Sequence, residues 1–102
     1  MKNLMLIVHA DIKQALADRL RGIEQATGFT FTHIEGHGPQ DEHDVALSAR
    51  DRVVGYTPHV RVDILLEDED VDEVLQALRA ADCGLTGRCI YRITAVERQG
   101  EL

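Results

Sequence analysis

A chain of 102 residues has room for one domain with a modest core, so we expect a single domain over residues 1–102. Its hydrophobic content of 44% is that of an ordinary globular protein and excludes wholesale disorder. The formal net charge of −7 argues against nucleic acid and anionic membranes as partners, because both require a basic surface.

The apolar segments predict neither export nor membrane insertion. The first apolar run, residues 1–8, reaches the polar His9 at once and is too short for a signal peptide. No stretch approaches the roughly 20 apolar residues of a membrane span. We therefore expect a cytoplasmic protein. Its two cysteines, Cys83 and Cys89, are then expected as reduced thiols, with a reversible disulfide as the alternative.

The first part of the chain predicts a strand, a helix and a second strand. Residues 3–8 are apolar at every position after Asn3, which indicates a central strand that is buried on both faces. Asp11 is expected to cap the following helix, which would end at the glycine of residues 26–28. Residues 29–34 are aromatic and β-branched, as in a strand. The stripe at helical spacing between them is Ile12, Leu16, Leu20 and Ile23.

The later part predicts two more strands with a helix between them. Residues 60–66 alternate apolar and polar side chains, which indicates a half-buried strand. The acidic residues 67–70 favour the start of a helix, and residues 89–95 are typical of a last strand. The buried stripe of this helix is Val71, Val74, Leu75 and Leu78.

The order β-α-β-β-α-β predicts an α+β, ferredoxin-like fold. In this fold two helices cover one face of a four-stranded antiparallel sheet and leave the other face open. The first strand is nevertheless apolar on both sides. We therefore expect the open face to pack on another subunit and the protein to be an oligomer.

A long polar segment separates the second and third predicted strands. It is acidic at first and basic later, and it has no apolar face that would fill a core. Loops longer than about 12–15 residues are uncommon in small domains and are usually functional or disordered. We expect the activity of the protein to lie there.

Histidines at the base of this loop suggest a metal site. His33, Glu35 and His37 are spaced by two and would share one face of a strand, and a hairpin would bring His59 near His37. Imidazole and carboxylate ligands suit zinc, nickel, cobalt or copper. The alternative is an exposed polar face. His43 would complete a site only if the loop folded back.

Two glycine-containing segments suggest an anion site. Residues 36–40 read G-H-G-P-Q, a strand exit whose backbone N–H groups can cradle an anion, although two glycines also make a simple turn. Thr30 and Thr32 offer hydroxyl groups beside it. Arg88 ends a second small loop and is either a phosphate ligand or a surface charge. The one serine, Ser48, has no evident base, so we expect no enzymatic activity.

Three segments together resemble the PII superfamily of signalling proteins, and the match covers nearly the whole chain. Residues 28–40, G-F-T-F-T-H-I-E-G-H-G-P-Q, resemble the family's G-x-T-V-T-x-V-x-G-F-G-R-Q. Residues 58–66, P-H-V-R-V-D-I-L-L, resemble its P-K-V-K-I-E-I-V-V, and residues 98–101 resemble its closing R-T-G-E. The chain looks nearest to small proteobacterial PII-like proteins of unassigned function, whose pattern contains Ser48, Val53 and Gly55.

The resemblance implies a homotrimer that takes part in signal transduction, as in nitrogen regulation. PII proteins bind ATP or ADP in clefts between subunits, and their T-loop, here residues 39–57, docks on a protein partner such as a membrane transporter or an enzyme. By position, the resemblance implies five ligand-binding residues in this chain: Thr30, Gly36, Gly38, Gln40 and Arg98.

Departures from the family pattern weaken the expected grip on phosphate. Cys89 stands in the place of a lysine, and Val96 in the place of the first of two arginines. Arg52 replaces the tyrosine that the family modifies, so uridylylation there is excluded. Three interpretations stay open. The effector is an adenine nucleotide; or it is a transition metal at the four residues His33, Glu35, His37 and His59, in a protein linked to metal homeostasis like CutA; or the chain is an interaction module without a small ligand.

Overall fold

The computed structural model describes residues 1–37, 56–80, 84–85 and 88–102, and within them it confirms the ferredoxin-like α+β fold. A 3₁₀ turn precedes each helix, at Ala10–Ile12 and at Asp68–Asp70. All neighbouring strands are antiparallel, in the order β2-β3-β1-β4. In chain order the elements are β1 (Lys2–His9), α1 (Lys13–Arg21), β2 (Phe29–Gly36), β3 (Thr57–Leu66), α2 (Val71–Ala80) and β4 (Cys89–Ala95).

The core lies between the sheet and the two helices. Strict alternation on the two central strands turns every second side chain toward the helices, and these side chains are almost fully buried. Burying one such side chain contributes about 1.5–3 kcal/mol, which fixes the face of each central strand. The fully or nearly fully buried core residues are Leu4, Leu6 and Val8 of β1, Val60, Val62 and Ile64 of β3, and Leu16, Leu20 and Val74 of the helices.

The second face of the sheet carries no helix within the described part of the chain, and we call it the open face. From β1 it receives Met5, Ile7 and His9, which explains why this strand is apolar on both sides. Ile7 pairs with Ile90 of β4, whose side chain is 58% exposed. Packing of this face on another subunit stays a prediction.

The predicted bounds of the first helix were wrong at both ends. Asp11 is not its cap but lies inside the 3₁₀ turn, where its backbone N–H donates to Nδ1 of His9 at 3.0 Å. The helix stops at Arg21, because Gly22 and Ile23 form tighter bonds to the carbonyls of the last turn. Ile23 is buried outside the helix, so its apolar character marked the core rather than helical structure.

Neither helix within the described ranges is long and apolar enough to cross a membrane.

Candidate functional site

His37 and Glu35 form a polar pair where β2 ends. Nε2 of His37 lies 3.0 Å from Oε2 of Glu35, and both side chains are more than half exposed. The His37 ring also lies near the Tyr56 ring, with 5.9 Å between the centroids. The pair supplies one nitrogen and one carboxylate, which is fewer ligands than a tight metal site needs.

His33 is held by a lysine rather than by the other predicted ligands. Its Nε2 lies 3.2 Å from Nζ of Lys13. An ammonium group can only donate, so the lone pair of this nitrogen is engaged as an acceptor. Lys13 also lies over the Phe31 ring, with 5.6 Å between Nζ and the centroid. A metal at Nε2 of His33 would have to displace a cation.

The expectation that His59 lies beside His37 was wrong. The register pairs His59 with Ile34 and with His9, which places it on the open face. His33 pairs with Val60, a core residue, and therefore points to the helix side of the sheet. Because the side-chain period of a strand is two, a shift of one residue in the register reverses the face.

The four predicted metal ligands therefore do not meet at one point of the chain. Across residues 1–37, 56–80, 84–85 and 88–102, no group of three or more histidine, cysteine, aspartate or glutamate side chains is arranged to hold a metal ion. His43, which was a possible additional ligand, lies outside the described residues. Metal binding by the remaining pair, Glu35 and His37, stays a prediction.

The sequence reasoning missed His9, which forms a nearly buried pair with His59. His9 is only 7% exposed and His59 only 8%. The two rings meet edge to face, with 5.9 Å between their centroids. His9 shares the odd-numbered positions of β1 with Met5 and Ile7. That parity was the signal that could have placed it on the open face.

The hydrogen bonds of the two rings assign opposite tautomers in the neutral state. Nδ1 of His59 lies 2.9 Å from the Thr57 carbonyl oxygen, which can only accept, so this nitrogen carries the proton. Nδ1 of His9 accepts from the Asp11 backbone N–H, so the proton of His9 is on Nε2. These assignments follow from the hydrogen-bond network. The pair is therefore held by the backbone at both rings.

Gly36 faces the His59 ring across the β2–β3 ladder. A Cβ atom at this position would overlap the imidazole, at 2.5 Å from Cε1, and would lie 3.2 Å from the Thr57 carbonyl oxygen. Real Cβ atoms essentially never approach heavy atoms so closely. Only glycine lets His59 keep its buried position, which adds a packing reason to the anion-binding role expected for Gly36.

The structure separates the described residues of the predicted anion site. Thr30 lies on the open face opposite Asp63 and lines a polar cavity of about 520 Å³ together with Asn3 and Gln99. Gly36 lies at the far end of the same strand. Arg88 directly precedes β4, and Arg98 follows it. Gly38, Gln40 and most of the predicted T-loop 39–57 lie outside the described residues, as does Cys83.

Arg61, Asp63 and Asn3 form a polar network on the open face beside this cavity. Nη2 of Arg61 and Nδ2 of Asn3 each donate to Oδ1 of Asp63 at 3.0 Å. Burial of the Asp63 carboxyl acts to raise its pKa, but the hydrogen bonds from Arg61 and Asn3 outweigh it. The pKa of Asp63 therefore lies below its ordinary value of 3.8.

This network predicts an acid-sensitive contribution to stability. A carboxyl whose folded pKa is lowered stabilises the protein above its unfolded pKa and loses that contribution as pH falls through the folded value. In Arg61→Gln we expect the pKa of Asp63 to rise in a carboxyl NMR titration. Urea denaturation should show a stability deficit at pH 7 that shrinks below pH 3.8. Arg21→Gln, which removes an exposed pair with Asp18, is the control; an unchanged Asp63 titration in Arg61→Gln would contradict the assignment.

The family described as "Protein of unknown function (DUF3240)" matches residues 1–102. The nitrogen regulatory protein P-II of Pasteurella multocida (strain Pm70) is 32% identical over 89 residues, which are 86% of this chain and 75% of that protein. The P-II protein of Rhizobium meliloti (strain 1021) is 33% identical over 78 residues, and this chain spans 65% of its length.

A solved structure shows the same fold. The crystal structure of a DUF3240 family protein from Shewanella baltica OS155 superposes with a TM-score of 0.75 at 23% identity, over 99% of this chain and 94% of that one. At this identity the likeness supports the fold alone. Because the family match spans the whole sequence and the P-II protein of Pasteurella multocida is 32% identical over 86% of this chain, the chain belongs to the DUF3240 family within the PII-like superfamily.

Proposed function

We propose that this protein is a non-enzymatic, PII-like regulator that works as a homotrimer in the cytoplasm. It senses a small effector in clefts between subunits and regulates a partner, either a membrane transporter or an enzyme, through the T-loop at residues 39–57. The names of its P-II relatives, which are nitrogen regulatory proteins, support a regulatory role of this kind.

One observation carries the proposal of clefts between subunits. Gly36 and Arg88 lie at the same end of the sheet but on its two opposite edge strands, β2 and β4. Three strand spacings separate these edges, which is about 14 Å. At this separation Gly36 and Arg88 of one chain do not reach the same anion. A neighbouring subunit packed on the open face, with the start of its β4 near the end of β2, would complete the set.

The effector in this proposal is an adenine nucleotide bound with fewer cationic contacts than in the family pattern. Arg88 and Arg98 supply the positive charges, whereas Cys89 and Val96 occupy positions where the pattern has a lysine and an arginine. Each missing charge-assisted hydrogen bond costs roughly 1.5–3 kcal/mol of affinity. We therefore expect the protein to bind both ATP and ADP weakly and with similar affinities.

Calorimetry with ATP and with ADP tests this effector, after light scattering has established the number of chains. We expect a trimer, with measurable heat for at least one nucleotide. Arg98→Gln should weaken binding about tenfold or more, because it removes a charge-assisted contact to phosphate. Arg21→Gln removes an equal charge from the exposed surface of α1 and should bind like the parent protein. A trimer that gives no heat with either nucleotide would rule out the nucleotide.

The second candidate is a transition-metal sensor, favoured by the contact between His37 and Glu35. Nickel, cobalt, copper or zinc would take this pair as part of its ligand set, and the protein would act in metal homeostasis. Titration with nickel or copper tests it. We expect His37→Ala to abolish binding and His33→Ala to change it little, because Lys13 occupies the His33 nitrogen. Unchanged metal affinity in the double variant His33→Ala/His37→Ala would exclude this candidate.

The third candidate is an interaction module whose T-loop recognises a partner without any small ligand. Hydrogen exchange of residues 39–57 separates it from the other two. Protection of the loop on addition of ATP, ADP or nickel would argue against it.

A further inference from the structure

A second cavity lies on the helix side of the sheet, between α2 and β4, and therefore on the side opposite the open face. It has a volume of about 350 Å³, and we call it the α2–β4 pocket. Its apolar lining is formed by four leucines of three separate segments, and its rim carries an aromatic ring, a thiol and a guanidinium group. The lining residues are Leu6, Leu75, Leu78, Leu85, Cys89, Tyr91 and Arg79.

Tyr91 and Arg79 leave the rim of the pocket open and positively charged. Tyr91 is 47% exposed although its neighbour on β1, Leu6, is almost fully buried. The guanidinium carbon of Arg79 lies 6.0 Å from the centroid of the Tyr91 ring. Among the ion pairs formed by the described residues, none involves Arg79. In a protein with a net charge of −7, this cation stands at the mouth of an apolar cavity.

The position of Arg79 at the end of α2 explains only part of its arrangement beside Tyr91. A basic residue in the last turn interacts favourably with the helix dipole, and Arg79 occupies that turn. The dipole does not explain why the side chain reaches across to β4 or why the pocket beneath it stays unfilled. Charge and apolar lining at one mouth are the features that a small amphipathic ligand requires.

We propose that the α2–β4 pocket binds a small amphipathic anion, namely a medium-length acyl chain that ends in a carboxylate. The leucine side chains would surround the alkyl part, and Arg79 would donate hydrogen bonds to the carboxylate while it stacks on Tyr91. The volume lies at the lower end of the roughly 300–1,000 Å³ range of ligand pockets, which excludes long acyl chains and leaves those of medium length. This proposal needs neither the trimer nor the T-loop.

Calorimetric titration of the full chain with hexanoate, octanoate and decanoate tests the apolar part. Each added methylene is expected to strengthen binding by up to about fourfold until the pocket is filled, after which the gain should stop. For decanoate we expect a dissociation constant of about 1–5 mM or tighter. Affinity that does not change with chain length would overturn the proposal.

Substitution of the rim arginine tests the charged part. Arg79→Gln should weaken decanoate binding about two- to fivefold and leave decanol binding unchanged, because an exposed ion pair contributes at most about 1 kcal/mol. Arg92→Gln is the matched control, since Arg92 lies one position along β4 from Tyr91 but on the open face. Both arginines are exposed, so both variants should fold. Equal affinity for decanoate and decanol in the parent protein would show that the site does not recognise an anion.

The Cys89 thiol reports whether the ligand occupies this pocket. Alkylation of Cys89 by iodoacetamide, followed by mass spectrometry of its peptide, should slow when decanoate is bound. The same slowing should need a higher decanoate concentration in Arg79→Gln. Alkylation at an unchanged rate at saturating decanoate would place binding elsewhere and refute the assignment.

Discussion

Replacing Gly36 by alanine is expected to lower the free energy of unfolding by about 2–4 kcal/mol. The new methyl group would overlap the His59 ring and approach the Thr57 carbonyl oxygen to 3.2 Å. His59 is only 8% exposed, so its ring cannot swing into solvent without breaking its hydrogen bond to Thr57. Overpacking of a buried site and loss of that bond therefore add. Urea denaturation at a fixed protein concentration measures the change.

Two further variants separate this steric effect from a general effect of losing glycine. Gly28→Ala is the control, because a Cβ atom there meets nothing within 4 Å, and it should be neutral or slightly stabilising. The double variant Gly36→Ala/His59→Ala lacks the obstructing ring. Its free energy of unfolding should therefore be close to that of His59→Ala alone. If Gly36→Ala lowers the free energy of unfolding by the same amount in the His59→Ala background as in the parent protein, the ring is not the cause.

The same position bears on the proposed effector site. The family resemblance assigns Gly36 to ligand binding, whereas the structure shows a packing reason for glycine at this residue. If the double variant folds and still binds ATP, Gly36 is required for packing alone. If it folds as a trimer and has lost ATP, the glycine also serves the ligand.

The fold was predictable from the sequence because its signals are strong and local. The central strands carry apolar residues at every second position toward the core, and the stripe of α2 at Val71, Val74, Leu75 and Leu78 is fully realised. With two helices and four strands in this order, few topologies bury all the apolar faces. The end of α1 was less predictable, since buried residues such as Ile23 continue the apolar pattern past the last helical turn.

The geometry of the site was not predictable in the same way. The spacing of His33 and Glu35 places both on one face of β2, but it does not say which face His59 shares. A long connection between β2 and β3 leaves their register undetermined, and a shift of one residue moves His59 across the sheet. The pairing of His9 with His59 depends on the β1–β3 register, which the sequence does not determine, so it could only be read from the structure.

Replacing Ile90 on the open face by glutamate is expected to prevent the subunits from associating. This side chain is 58% exposed in the single chain, beside Ile7 of the neighbouring strand. If the open face packs on other subunits, Ile90→Glu places a charge in each contact. Burying a carboxylate without a partner costs several kcal/mol, and every subunit of the trimer would bear that cost. We expect light scattering to show single chains for Ile90→Glu and three associated chains for the parent protein, over the same concentration range.

A charge on the helix side of β4 tests whether the subunits meet through the open face or through the edge of β4. Ile93 is 39% exposed and points to the helix side, opposite Leu4. Ile93→Glu adds the same charge to β4, and it should leave the trimer intact if the contact is made by the open face. Dissociation in both variants would indicate that the exposed edge of β4, rather than the open face, joins the subunits. An intact trimer in Ile90→Glu would mean that Ile90 stays in water and that the contact does not include this part of the open face. The apolar residues on both sides of β1 would then be explained by packing within one chain.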